Sequence, residues 1–166
     1  VAGNWKMNKN LAEGEILTKE IMNSNELDTA VQVILFPSFI HLANLSNLTK
    51  ESAISIGSQN NHSADSGAYT GEVSSSMLSS IGIQFGLVGH SERRTYNHES
   101  DDELLGKTKA LLKEGIRPVF CCGEHLEQRK NKTYFETIKS QLTVPFQLNA
   151  EDFKNIVLAY EPVWAI

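Results

Sequence analysis

Lys6, His90 and Glu161 supply a fixed cation, an imidazole and a carboxylate, and each follows a short apolar run in the sequence. A carboxylate can act as a general base, a neutral imidazole can donate a hydrogen bond to a carbonyl oxygen, and a held ammonium can stabilise a developing oxyanion. Glu161 stands where Ile156-Val157-Leu158-Ala159 gives way to Pro162. A continuous apolar run reads as a strand buried on both faces, so Glu161 is expected at that strand's C-terminal tip, the usual place for chemistry in parallel α/β folds. Pro162 holds the glutamate extended and opens a loop. His90 precedes Ser91-Glu92-Arg93-Arg94, read as the start of a helix. A helix N-terminus disfavours imidazolium, which leaves a neutral ring as the donor. Taken singly, each residue has an ordinary explanation: a solvated turn glutamate, a histidine in a charged surface stretch, a surface lysine.

Their positions along the chain set them apart. Strand-like runs occur at Val31 to Phe36, Ala53 to Gly57, Gln84 to Gly89, Ile116 to Cys122 and Asn155 to Tyr160, and Val1 to Asn4 reads as the tail of a sixth. Between them lie apolar residues at helical spacing: Leu11, Ile16, Leu17 and Ile21; Phe39, Leu42 and Leu45; Met77, Leu78 and Ile81; Leu104, Leu105, Leu111 and Leu112; Phe135, Ile138 and Leu142. Ser100-Asp101-Asp102-Glu103 is a capped, acidic helix start, and Gly115 is a stop. Strands linked by helices require a parallel sheet with right-handed crossovers. Gln59 to Glu72, rich in Asn, Ser and Gly, reads as a longer loop after the third strand. Asn4 and Lys6 then end the first strand, His90 and Glu92 the fourth, Glu124 the fifth and Glu161 the sixth. All parallel strands end at one rim, so residues distant in sequence are brought together.

Two architectures fit this alternation, an open doubly wound sheet and a (β/α) barrel. No G-x-G-x-x-G follows the first strand and no G-x-x-x-x-G-K-[ST] occurs, which argues against a nucleotide-binding doubly wound sheet. A complete eight-unit barrel needs about 250 residues. The expected fold is therefore α/β, a single incomplete (β/α)8 barrel domain over residues 1–166, truncated after the sixth strand.

The composition is that of an ordinary globular chain, 40% hydrophobic and 21% charged. The net charge of −5 and the absence of a lysine/arginine block argue against nucleic acid or an acidic membrane as partner, while leaving room for a small anionic substrate at a local positive site. No apolar stretch approaches the roughly 20 residues of a membrane span. A soluble, cytoplasmic protein is expected. Cys121 and Cys122 are adjacent and so point to opposite faces of a strand, which fits a reducing compartment and neither a disulfide nor a shared metal. His90-Ser91-Glu92 matches half of a zinc-deaminase signature, but these cysteines lack the intervening turn that zinc ligands need, so no metal is expected.

Five stretches carry a resemblance: Gly3-Asn4-Trp5-Lys6-Met7-Asn8, Gly67-Ala68-Tyr69-Thr70-Gly71-Glu72, Gly89-His90-Ser91-Glu92-Arg93-Arg94, Cys121-Cys122-Gly123-Glu124 and Ala159-Tyr160-Glu161-Pro162-Val163-Trp164-Ala165-Ile166. In this order they resemble the triosephosphate isomerase family across essentially the whole chain. The resemblance implies a cofactor-free interconversion of dihydroxyacetone phosphate and D-glyceraldehyde 3-phosphate, in glycolysis and gluconeogenesis. It implies that Glu161 moves the proton between carbons, that His90 polarises the carbonyl, and that Lys6 stabilises negative charge with help from Asn4 in binding substrate. Glu92 is then expected to orient Lys6, Ser91 to brace the rim, and Pro162-Val163-Trp164 to form the first hinge of a lid that excludes water. Gln59 to Glu72 matches a loop that enters a neighbouring subunit, with Thr70 at the interface of a homodimer. In the family the chain continues through a Gly-rich loop tip and strands seven and eight with their phosphate-binding loops.

Two other functions remain open. An incomplete barrel leaves strand edges unpaired, which suits a noncatalytic fragment acting through association, so that this chain alone would be inactive. A Schiff-base aldolase could use Lys6, although the surrounding residues offer no sign of the environment that such a lysine needs.

Overall fold

Each β-rich run forms a strand, and consecutive strands pair side by side. In the computed structural model, which describes residues 1–24 and 30–166, the strands are β1 (Ala2–Asn4), β2 (Val33–Phe36), β3 (Ile54–Ser58), β4 (Phe85–Val88), β5 (Arg117–Cys122) and β6 (Val157–Tyr160). They make one parallel sheet in the order β1-β2-β3-β4-β5-β6. Helices run between them: α1 (Leu11–Met22), α2 (Leu42–Leu48), α3 (Ser75–Ser80), α4 (Ser91–Tyr96), α5 (Asp101–Lys113), α6 (Leu126–Lys130), α7 (Tyr134–Leu142) and α8 (Ala150–Lys154). This is the succession of six strands and covering helices of a (β/α)8 barrel, as the alternation predicts.

The helix starts follow from their caps. Asn10 and Glu13 close a capping box on α1, and Ser100 and Glu103 close one on α5. Beyond α5 the chain turns through Gly115 at φ +71°, a conformation that costs glycine little. The short helices α6 and α8 were not foreseen, because five residues are too few to show an apolar stripe.

Alternation along the strands divides the core into two layers. Ile34, Phe36, Phe85, Leu87, Val119 and Cys121 meet on the inner face, while Leu35, Ile56, Val88 and Phe120 turn outward under Leu42, Leu78, Leu104 and Leu111 from the helices. The two cysteines diverge as expected, and both are free and buried. Gly57 opens the inner layer to the Phe36 ring: a Cβ there would lie 2.3 Å from that ring. β6 departs from expectation. Among the described residues it pairs only with β5, and Val157 and Ala159 are half-buried while Leu158 and Tyr160 are exposed, in place of a strand buried on both faces. Among the described residues, no helix is long and apolar enough to cross a membrane.

Phe120 is fully buried in the outer layer. Phe120→Ala is expected to lower stability by about 3–5 kcal/mol, through lost transfer energy and the cavity left behind. A denaturant titration of parent and variant measures this.

Candidate functional site

The carboxyl ends of the strands meet at one rim, and the side chains singled out in the sequence are arranged there. Asn4, Lys6, Gln59, His90, Glu92 and Arg93 are among the residues lining a cavity of about 340 Å³. Lys6 Nζ lies 2.8 Å from Glu92 Oε1. Glu92 Oε2 is 3.7 Å from His90 Nδ1, and His90 Nε2 is 3.7 Å from Glu161 Oε2. Lysine, histidine and the two glutamates thus form a continuous line across the ends of β1, β4 and β6. Ser91 is the first residue of α4 and is half-buried. Thr70 is exposed in the loop after β3 and does not line this cavity.

Lys6 sits at φ 54°, in the left-handed region that side-chain-bearing residues rarely adopt. Its neighbours hold it there. Asn4 Oδ1 accepts the Lys6 backbone N–H at 3.0 Å, and Gln59 Nε2 donates to the Lys6 carbonyl at 2.9 Å and to the Phe36 carbonyl at 2.8 Å. Asn4 therefore shapes the Lys6 turn as well as facing the cavity. Gln59 joins the ends of β1, β2 and β3, a role that its place at the start of a polar loop did not reveal.

His90 caps α4, and its Nδ1 accepts the Glu92 backbone N–H at 3.3 Å. With Nδ1 as acceptor, the ring hydrogen belongs on Nε2, the nitrogen that faces Glu161. The turn before it is clamped by Arg94, whose Nε donates to the Gly89 carbonyl at 2.7 Å and whose Nη2 donates to the Cys121 carbonyl at 3.3 Å. Burial pulls the Arg94 pKa below the usual guanidinium value, with Asp101 opposing the shift. Beside Arg94 on α4, Arg93 binds Glu99 Oε1, which Lys107 also binds, and Lys107 Nζ donates to Asn60 Oδ1 at 2.9 Å.

The backbone after β6 rests on the turn after β5. Glu161 N–H donates to the Cys122 carbonyl and Val163 N–H to the Glu124 carbonyl, both at 2.9 Å. Between these two bonds a Cβ on Gly123 would stand 1.9 Å from the Glu161 carbonyl oxygen, so only glycine lets the two strand ends come this close. Beneath the Glu161 end of the sheet, burial pushes the Cys121 thiol up to about 12, with the Glu161 charge adding to the shift. A thiol held so far from ionisation is a poor nucleophile and a poor metal ligand. No group of three or more His, Cys, Asp or Glu side chains able to hold a metal occurs among the described residues.

Glu124 is fully buried and holds the segment after Glu161 in place. It accepts from Trp164 Nε1 at 3.1 Å and from Tyr160 Oη at 3.0 Å, with Arg129 Nη1 at 3.8 Å. Burial alone raises its pKa, but the bonds from Trp164, its own backbone and Tyr160, with the charge of Arg129, outweigh that and hold the carboxyl below the usual range. A lowered folded pKa means that this anchoring is complete above the unfolded carboxyl value, about 4.3, and is lost as pH falls through the folded one. In a Trp5→Phe background, Trp164 emission is expected to shift to the red below about pH 4. In Glu124→Gln, which keeps an acceptor that does not titrate, the transition is expected to vanish. A shift that persists in the variant would dissociate the anchor from this carboxylate.

A family model described as triosephosphate isomerase matches residues 1–166. The triosephosphate isomerase of Phocaeicola vulgatus is 47% identical over 167 residues, covering 100% of this chain and 66% of the relative. That of Bacteroides fragilis is 48% identical over 168 residues with the same two shares, and that of Cytophaga hutchinsonii is 43% identical over 169 residues, covering 100% and 67%. The chain thus spans about two thirds of the length of the curated relatives it matches. Matched from its first residue to its last, and carrying a lysine, a histidine and a glutamate at the ends of the parallel strands β1, β4 and β6, the chain belongs to the triosephosphate isomerase family.

Proposed function

We propose that the full-length protein carrying these residues interconverts dihydroxyacetone phosphate and D-glyceraldehyde 3-phosphate, an aldose–ketose isomerisation of glycolysis and gluconeogenesis carried out in the cytoplasm without cofactor or metal. The observation that carries the proposal is the convergence of Lys6, His90 and Glu161 on one rim, with His90 Nε2 3.7 Å from Glu161 Oε2. That separation is longer than a hydrogen bond, so each group keeps its capacity for a ligand. Family membership supplies the chemistry that such a set serves.

In this reading the Glu161 carboxylate removes a proton from the carbon beside the carbonyl and returns it to the neighbouring carbon. His90 donates its Nε2 hydrogen to the carbonyl oxygen and then shuttles a proton between the two oxygens of the enediolate. Lys6 opposes the negative charge on phosphate and enediolate. Glu92 keeps the ammonium in place through its 2.8 Å contact, and Asn4 fixes the turn from which Lys6 projects. The base works from a partly exposed position, its side chain 53% accessible. The Glu124 anchor on Trp164 favours a hinge at Pro162-Val163-Trp164, from which a lid excludes water. The protein is proposed to act as a homodimer, with Thr70 on the exposed loop at the interface.

Turnover of dihydroxyacetone phosphate in deuterium oxide by the full-length protein is expected to give product labelled on carbon, because the base exchanges its proton with solvent. Glu161→Gln is expected to reduce kcat by at least about 10²- to 10⁴-fold, the usual contribution of a general base. Unchanged turnover in that variant would remove Glu161 from the chemistry.

A further inference from the structure

Gln141, half-buried on α7, faces the turn after β5. Its Oε1 accepts the Gly123 N–H at 2.8 Å and its Nε2 donates to the Gly123 carbonyl at 3.0 Å. A primary amide holds an acceptor and a donor side by side, so it pairs with both backbone groups of one residue, much as a neighbouring strand would. Gly123 is buried, and without Gln141 its two polar groups would lose these partners, at a cost that favours relaxation of the turn. That turn is the surface on which Glu161 rests. The carbonyls on either side of Gly123 receive Glu161 and Val163, and the Glu161 carbonyl approaches Gly123 too closely for any side chain. A movement of Gly123 therefore passes directly to the Glu161 backbone.

We infer that Gln141 is a positioning residue for Glu161: from outside the sheet it locks the Gly123 peptide groups and thereby sets where the carboxylate stands relative to His90. The inference rests on the isomerase reading above. It follows chemically because a proton transfer from carbon depends steeply on placement, and a misplacement of about 1 Å costs about a hundredfold in rate.

Two substitutions in the full-length protein test it. Gln141→Met removes both bonds in a similar volume, and is expected to lower kcat by about ten- to a hundredfold in folded protein. KM for the triose phosphate is expected to stay within about twofold, since no substrate contact is lost. Gln141→Glu keeps the acceptor and loses the donor at neutral pH, but its protonated carboxyl restores the donor and acceptor pair. Its kcat, taken as a ratio to the parent at each pH, is expected to rise as pH falls towards the carboxyl value of about 4.3, while the ratio for Gln141→Met stays flat. A purely structural role would lower the unfolding midpoint and leave both kcat ratios near one, and that result overturns the inference. A parent that is active and disabled by Glu161→Gln, yet indifferent to both changes at Gln141, sinks the positioning role alone. A parent without isomerase activity removes both readings.

Discussion

Parallel pairing is the constraint from which the site follows. Because each strand of the sheet pairs in parallel with the next, the carboxyl ends of β1, β4, β5 and β6 emerge at the same rim. Lys6 and Glu161, almost the whole chain apart, then meet His90 with each only one or two residues past the end of its strand. The inner face beneath them is filled by Phe36, Phe85, Leu87 and Val119, so the floor of the site is a packed apolar layer. Such packing gives little under a shift of its side chains, and the rim inherits that stiffness.

The rim itself is held by side chains that bind backbone. Asn4 and Gln59 hold Lys6, Arg94 holds the carbonyls of Gly89 and Cys121, and Gln141 holds Gly123. Each satisfies polar groups that the end of a strand would otherwise leave without partners in a partly buried place. The same bonds fix the positions from which Lys6, His90 and Glu161 project. Lys6 shows the balance of forces most clearly, since its left-handed backbone is an unfavourable state that persists because bonds on both its N–H and its carbonyl hold it.

The strands and the long helices were legible in the sequence because burial writes a period into it. α1 and α5 carry both an apolar stripe and a cap, and their limits were readable from Leu11 to Ile21 and from Ser100 to Gly115. The five-residue helices α6 and α8 leave no such trace. At the rim, residue type and position after a strand pointed to Lys6, His90 and Glu161. Gln59, Arg94 and Gln141 were not foreseen, because their work is done on backbone atoms, most of them distant in sequence, and an isolated glutamine in a loop or helix gives no sign of which peptide it reaches. Gly123 was visible within its motif, but the reason for it, the nearness of Glu161, exists only in three dimensions.

The sheet order has a consequence for biosynthesis. Every strand pairs with the one made just before it, so a nascent chain leaving the ribosome finds the partner for each new strand already exported. Ordering of this kind keeps loop closures short and favours growth from the amino end. The carboxylate at the tip of β6 consequently reaches its place after the lysine and the imidazole already stand in theirs.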